Sequence, residues 1–61
     1  MGIKTALEVE VGDSLVIDGK LSEVLVVDSS KGAAGIYGFT VDQEAGTCHY
    51  IYHKNDLIRT S

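Results

Sequence analysis

Ile36-Tyr37-Gly38-Phe39-Thr40-Val41-Asp42, a turn at Gln43 to Gly46, and Thr47-Cys48-His49-Tyr50-Ile51-Tyr52-His53 decide the fold. Two runs of β-branched and aromatic residues separated by a short, glycine-bearing turn read as a pair of strands. Alternation sorts each run into two faces. Tyr37, Phe39 and Val41 oppose Ile36, Gly38 and Thr40 in the first; Cys48, Tyr50 and Tyr52 oppose His49, Ile51 and His53 in the second. One face must line a core, yet neither face of the second run is conventionally polar. Cys48, Tyr50 and Tyr52, with Ile36 on the neighbouring strand, are therefore expected to form an exposed patch. Such a patch serves as a subunit interface or a ligand platform.

The rest of the chain is punctuated in the same way. Gly12-Asp13 supplies turn chemistry ahead of Ser14-Leu15-Val16-Ile17, and Asp18-Gly19 is a hairpin signal, because both residues tolerate the positive φ of a tight turn. The strand Leu21 to Val27 follows. Its segment Val24-Leu25-Val26-Val27 has no polar face, and a strand apolar on both sides calls for cover on both. Upstream, Ile3 to Val11 reads as one strand with Ile3, Thr5, Leu7, Val9 and Val11 on one face and Lys4, Ala6, Glu8 and Glu10 on the other. Ser29 to Gly35 reads as a flexible loop. Lys54-Asn55-Asp56-Leu57 reads as a single helical turn before a terminal strand, Leu57 to Thr60.

A 3.6-residue period is sustained nowhere, which sets a helical domain aside. Five or six short antiparallel strands at regular spacing, with one short helical turn before the last, predict an all-β, small SH3-like barrel occupying residues 1–61 as a single domain.

Composition limits what such a barrel does. Of the 61 residues 44% are hydrophobic and 23% charged, the balance of a globular protein. Five Lys plus Arg against nine Asp plus Glu give a net charge of -4, leaving no basic surplus for nucleic-acid backbones. No apolar run approaches the roughly 20 residues that span a bilayer. The segment Met1 to Val11 lacks the apolar block of a signal peptide. A single cysteine predicts a reducing compartment, hence a cytoplasmic location. A core this small supplies about 3–5 kcal/mol, so without a disulfide or a metal site the expected reinforcement is self-association, as a dimer or tetramer.

No constellation in the sequence earns a catalytic or metal assignment. His49 and His53 on a strand stand roughly 13 Å apart, too far for one metal ion. Cys48 and His49 are neighbours and point to opposite faces, so they do not make a nucleophile–base pair. Lys31-Gly32-Ala33-Ala34-Gly35 has its lysine before the glycines and a strand after them, unlike a phosphate loop. Asp13, Asp18, Asp42 and Asp56 sit at strand ends, where aspartate caps turns.

The second half of the chain resembles the plasmid-borne type II dihydrofolate reductases. The resemblance lies in Tyr37-Gly38-Phe39-Thr40-Val41-Asp42-Gln43-Glu44-Ala45, then Gly46-Thr47, then Ile51-Tyr52, with Leu57 and Arg59 beyond, and in the opening turn Gly12-Asp13. It covers the last third of the chain well, with one residue of gap in the turn. It implies an SH3-like barrel assembling into a tetramer around a shared pore, with NADPH as cofactor and Ile51 and Tyr52 in that pore. Tyr50 stands where the family has a glutamine, and Lys20 is the nearest residue to the family's pore lysine.

Two functions of different class are thus expected. The first is a non-enzymatic, self-associating module without a cofactor that binds a protein or small molecule through Ile36, Cys48, Tyr50, Ile51 and Tyr52. The alternative is a dihydrofolate reductase-like, NADPH-dependent oxidoreductase, in which the protein orients and the nicotinamide supplies the hydride. Stacking of bases on Tyr50 and Tyr52 is a third reading, which the net charge of -4 opposes.

Overall fold

A computed structural model describes residues 2–29 and 35–61. Six antiparallel strands, β1 (Gly2–Thr5), β2 (Ser14–Ile17), β3 (Lys20–Asp28), β4 (Ile36–Gln43), β5 (Gly46–His53) and β6 (Leu57–Thr60), form one sheet. Its order is β1-β6-β2-β3-β4-β5, a small SH3-like barrel that is left open, with β1 and β5 as the sheet edges. Residues 30–34, which carry most of the expected Ser29-to-Gly35 loop and the phosphate-loop lookalike, lie outside the described residues.

The core is Ala6, Val9, Leu15, Ile17, Val24, Phe39, Val41 and Ile58, drawn from both halves of the chain. Hairpin geometry follows the sequence closely at Asp18 and Gly19. Their φ values of 53° and 77° make the left-handed pair that a two-residue connection between Ile17 and Lys20 requires.

Three expectations are corrected. The first concerns the strand from Ile3 to Val11, which ends at Thr5. Ala6–Glu8 then forms a 3-10 helix. The Glu8 carboxylate reaches back to the Thr5 N–H at 3.0 Å and to its hydroxyl at 3.2 Å, tightening that turn. The amides of Ala6 and Leu7 donate to the carbonyls of Asp56 and Lys54, at 3.0 and 3.2 Å, instead of to a strand neighbour. A turn of 3-10 helix aligns residues three apart. Ala6 and Val9 consequently enter the core from what reads as opposite faces of one strand, while Ile3, Leu7 and Val11 are exposed.

Second, Lys54 to Leu57 is not a helical turn. The Asp56 carboxylate accepts from the His53 N–H at 2.8 Å and its own N–H donates to the His53 carbonyl at 2.9 Å. This backbone turn, braced from the other side by the Asp56 carboxylate, leads the chain directly into β6. The helical turn stands between β1 and β2 instead.

Third, the apolar stretch of β3 is not a regular strand. Val24 pairs with Val41 and Val26 with Thr40, so Leu25 is an extra residue in a bulge. The inserted residue shifts the alternation: Val24 and Val27 both face inward, opposite Val41 and Phe39. Leu25 and Val26 are left exposed, without the outer cover that the sequence called for.

Candidate functional site

The two-residue connection Glu44-Ala45 pairs Gln43 with Gly46 and sets the register of the whole β4–β5 hairpin. Phe39 then lies opposite Tyr50, Val41 opposite Cys48, and Tyr37 opposite Tyr52. Directly opposed residues share a face. Cys48, Tyr50 and Tyr52 accordingly stand on the core side of the sheet, packed against the buried cluster and half-buried themselves. Ile36 and Ile51 stand on the outer side, opposite His53 and Gly38. The expected patch is therefore split by the sheet. Its three-residue part is the rim of the core, and Ile51, 74% exposed, belongs to the outer surface.

The inner part is ordered by rings and by one amide. Tyr52 lies 5.8 Å from Phe39 and 6.4 Å from Tyr50 between ring centroids, both tilted, the offset contact that aromatic quadrupoles favour. Burial pushes the Tyr52 phenol up from its usual range, and the nearby carboxylates of Asp18 and Asp56 push the same way. Beneath the rings Gln43 is only 8% exposed. Its amide nitrogen donates to the Ser22 hydroxyl at 2.9 Å and to the Tyr50 hydroxyl at 3.1 Å; its carbonyl accepts from the Cys48 thiol at 3.2 Å. Ser22, fully buried, donates its own hydroxyl to the Lys20 carbonyl at 3.1 Å. Every heteroatom of this cluster is satisfied, so it holds Cys48 and Tyr50 in place without an orphaned group.

Sequence reasoning missed Ser22 and Gln43. A signal for Gln43 existed, because it continues the inward alternation of Tyr37, Phe39 and Val41; reading it as the start of the turn concealed that. Ser22 likewise sits two residues before the inward Val24.

Two concavities border the hairpin. A cleft of about 490 Å³ opens where the β2–β3 and β4–β5 connections approach, lined by Gly19, Lys20, Leu21, Gln43, Glu44 and Ala45. A shallower depression of about 110 Å³ lies over Gly38 on the outer side, beside Asp28, Thr40, His49 and Ile51. There Nδ1 of His49 is 2.9 Å from the Thr40 hydroxyl. His49 and His53 are both exposed on that outer side. Among the described residues no three of His, Cys, Asp or Glu gather as a metal site.

The outer margin of β5 is the remaining feature of the site. Lys54 N–H donates to the Gly35 carbonyl at 2.8 Å, which continues the β4–β5 ladder and fixes its phase. In an antiparallel ladder only alternate residues exchange bonds with the neighbour, so the even-numbered residues of β5 face β4. The backbone groups of Thr47, His49, Ile51 and His53 point the other way. His53 agrees, since both its N–H and its carbonyl are taken by Asp56. Compared with known protein families and with curated proteins, the chain matches none.

Proposed function

We propose that this chain is a small self-associating binding module of SH3-like form, acting on a protein or small-molecule ligand without chemistry of its own. The observation that carries the reading is the half-covered inner face of β5, where Cys48, Tyr50 and Tyr52 rim the core at an open sheet edge. Tyrosines offer large contact area and a hydroxyl at little entropic cost, which suits an interface. With only eight apolar residues in the buried core among the described residues, the domain has reason to cover that rim with another surface. The satisfied Gln43 cluster supports the non-catalytic part: its side chains are spent on one another.

Absolute mass by light scattering after size exclusion, over a range of concentrations, tests the reading. A dimer or tetramer is expected, and Tyr50→Asp should lower the mass or the melting point. A monomer at every concentration, or a Tyr50→Asp protein of unchanged mass and melting point, overturns it. The same samples are to be assayed for NADPH-dependent dihydrofolate turnover. Turnover above buffer that falls in Tyr52→Phe would replace this reading with the reductase one.

A further inference from the structure

We infer that the free edge of β5 is the surface through which two copies of this chain pair, antiparallel, about a two-fold axis at His49. The inference rests on the self-association proposed above and gives it a place and a register.

Among the described residues, the outward N–H and carbonyl groups of Thr47, His49 and Ile51 have no partner, whereas those of His53 are closed off by Asp56. The free edge therefore ends on its own terms: three residues, alternating, bounded by the turn. A strand edge is a template for another strand, and proteins that avoid such pairing place lysine, proline or a bulge there. Between Gly46 and His53 this edge has none of the three.

The register is decided by counting bonds. In a two-fold antiparallel pair, outward residues face outward residues. Centring the axis on His49 sets Thr47 opposite Ile51 of the second copy, His49 opposite His49, and Ile51 opposite Thr47. Each pair exchanges two bonds, so every open group is used. Centring on Tyr50 or on Ile51 sets a free residue against His53, whose groups are taken. Only the His49 register satisfies the whole edge. It also sets Cys48 of each copy opposite Tyr50 of the other on the core side, joining the two aromatic rims, and covers the exposed Ile51 with a threonine.

Amide hydrogen exchange read residue by residue, beside the solution mass, tests this. In the wild-type dimer the Thr47, His49 and Ile51 amides should be protected along with Cys48, Tyr50 and Tyr52; on dilution to monomer only the first three should become fast. His49→Pro deletes the central outward N–H and leaves every backbone bond to β4 in place, removing only the side-chain bond to Thr40, and should raise the dimer dissociation constant at least about tenfold. Should that variant not fold, Ile51→Lys, at an exposed side chain, is expected to act in the same direction. A monomeric wild type overturns both this inference and the reading beneath it. An oligomer with fast Thr47, His49 and Ile51 amides, and unmoved by either variant, overturns the inference alone.

Discussion

The two edges of this sheet end in opposite ways. At one, β1 is four residues long, breaks into a 3-10 turn after Thr5, and gives its next two amides to the β5–β6 turn. Lys4 is tied to Asp13 at 2.9 Å, and the same Asp13 oxygen accepts the Glu10 N–H. At the other, β5 runs for eight residues with alternate backbone groups open and its inner tyrosines half-covered. The same six-stranded sheet thus has a short, pinned margin and a long, unpinned one. The pinned margin combines local side-chain bonds to backbone at Glu8 and Asp13 with backbone bonds to the distant β5–β6 turn. The other rests on the shared core beneath it.

Removing that shared support should have the largest effect. Phe39 is fully buried and underlies Tyr50 and Tyr52, so Phe39→Ala is expected to cost about 3–5 kcal/mol and to unfold the isolated domain, as seen by loss of a cooperative thermal transition. Gln43→Ala strikes the open side alone. It strips Ser22, Cys48 and Tyr50 of a partner, with an expected loss of about 1–3 kcal/mol in urea unfolding. Asp56→Ala would blur the contrast between the edges. It frees the His53 N–H, lowers stability by about 1 kcal/mol and lengthens the open margin by one donor, so light scattering should show stronger self-association.

The smallest effect belongs to the pinned side and is a pH dependence. Backbone donation from Thr5 holds the Glu8 carboxyl below its usual range, and backbone donation from Glu10, with Lys4 beside it, does the same for Asp13. Such carboxylates bind a proton less tightly folded than unfolded. Their contribution is therefore complete above the ordinary carboxylate range, about pH 4, and is lost as pH falls through the lower folded values. A melting series should show a shallow decline beginning near pH 4 that disappears in a Glu8→Gln, Asp13→Asn double variant. At the alkaline end the signs reverse. Lys4, raised by its hydrogen bond to Asp13, and Tyr52, raised by burial, hold their protons more tightly when folded, so stability falls above about pH 10.

Much of the fold was legible because turn chemistry and alternation are local. Ser14–Ile17 and Leu57–Thr60 are the expected strands residue for residue, and β3, β4 and β5 differ only at their ends. What escaped is non-local. The break at Ala6 is made by carbonyls of Lys54 and Asp56, some fifty residues away in sequence. The bulge at Leu25 exists only in relation to β4. For the site, alternation grouped Cys48, Tyr50 and Tyr52 on one face, but that face was expected to be the exposed one and is the core side. That placement followed from pairing Gln43 with Gly46, which sets Tyr50 beside Phe39; without it Ile36 was assigned to the wrong company.

The bulge in β3 carries one more consequence, concerning length rather than contacts. A strand reads like a text in two-letter frames, and losing a single residue ordinarily turns every later side chain over. Here Leu25 is already the odd letter: without it Val26 would still lie opposite Thr40 and Val27 opposite Phe39. A chain lacking Leu25 should therefore fold with the same core, whereas a chain lacking Val16 would turn Ile17 outward and should not.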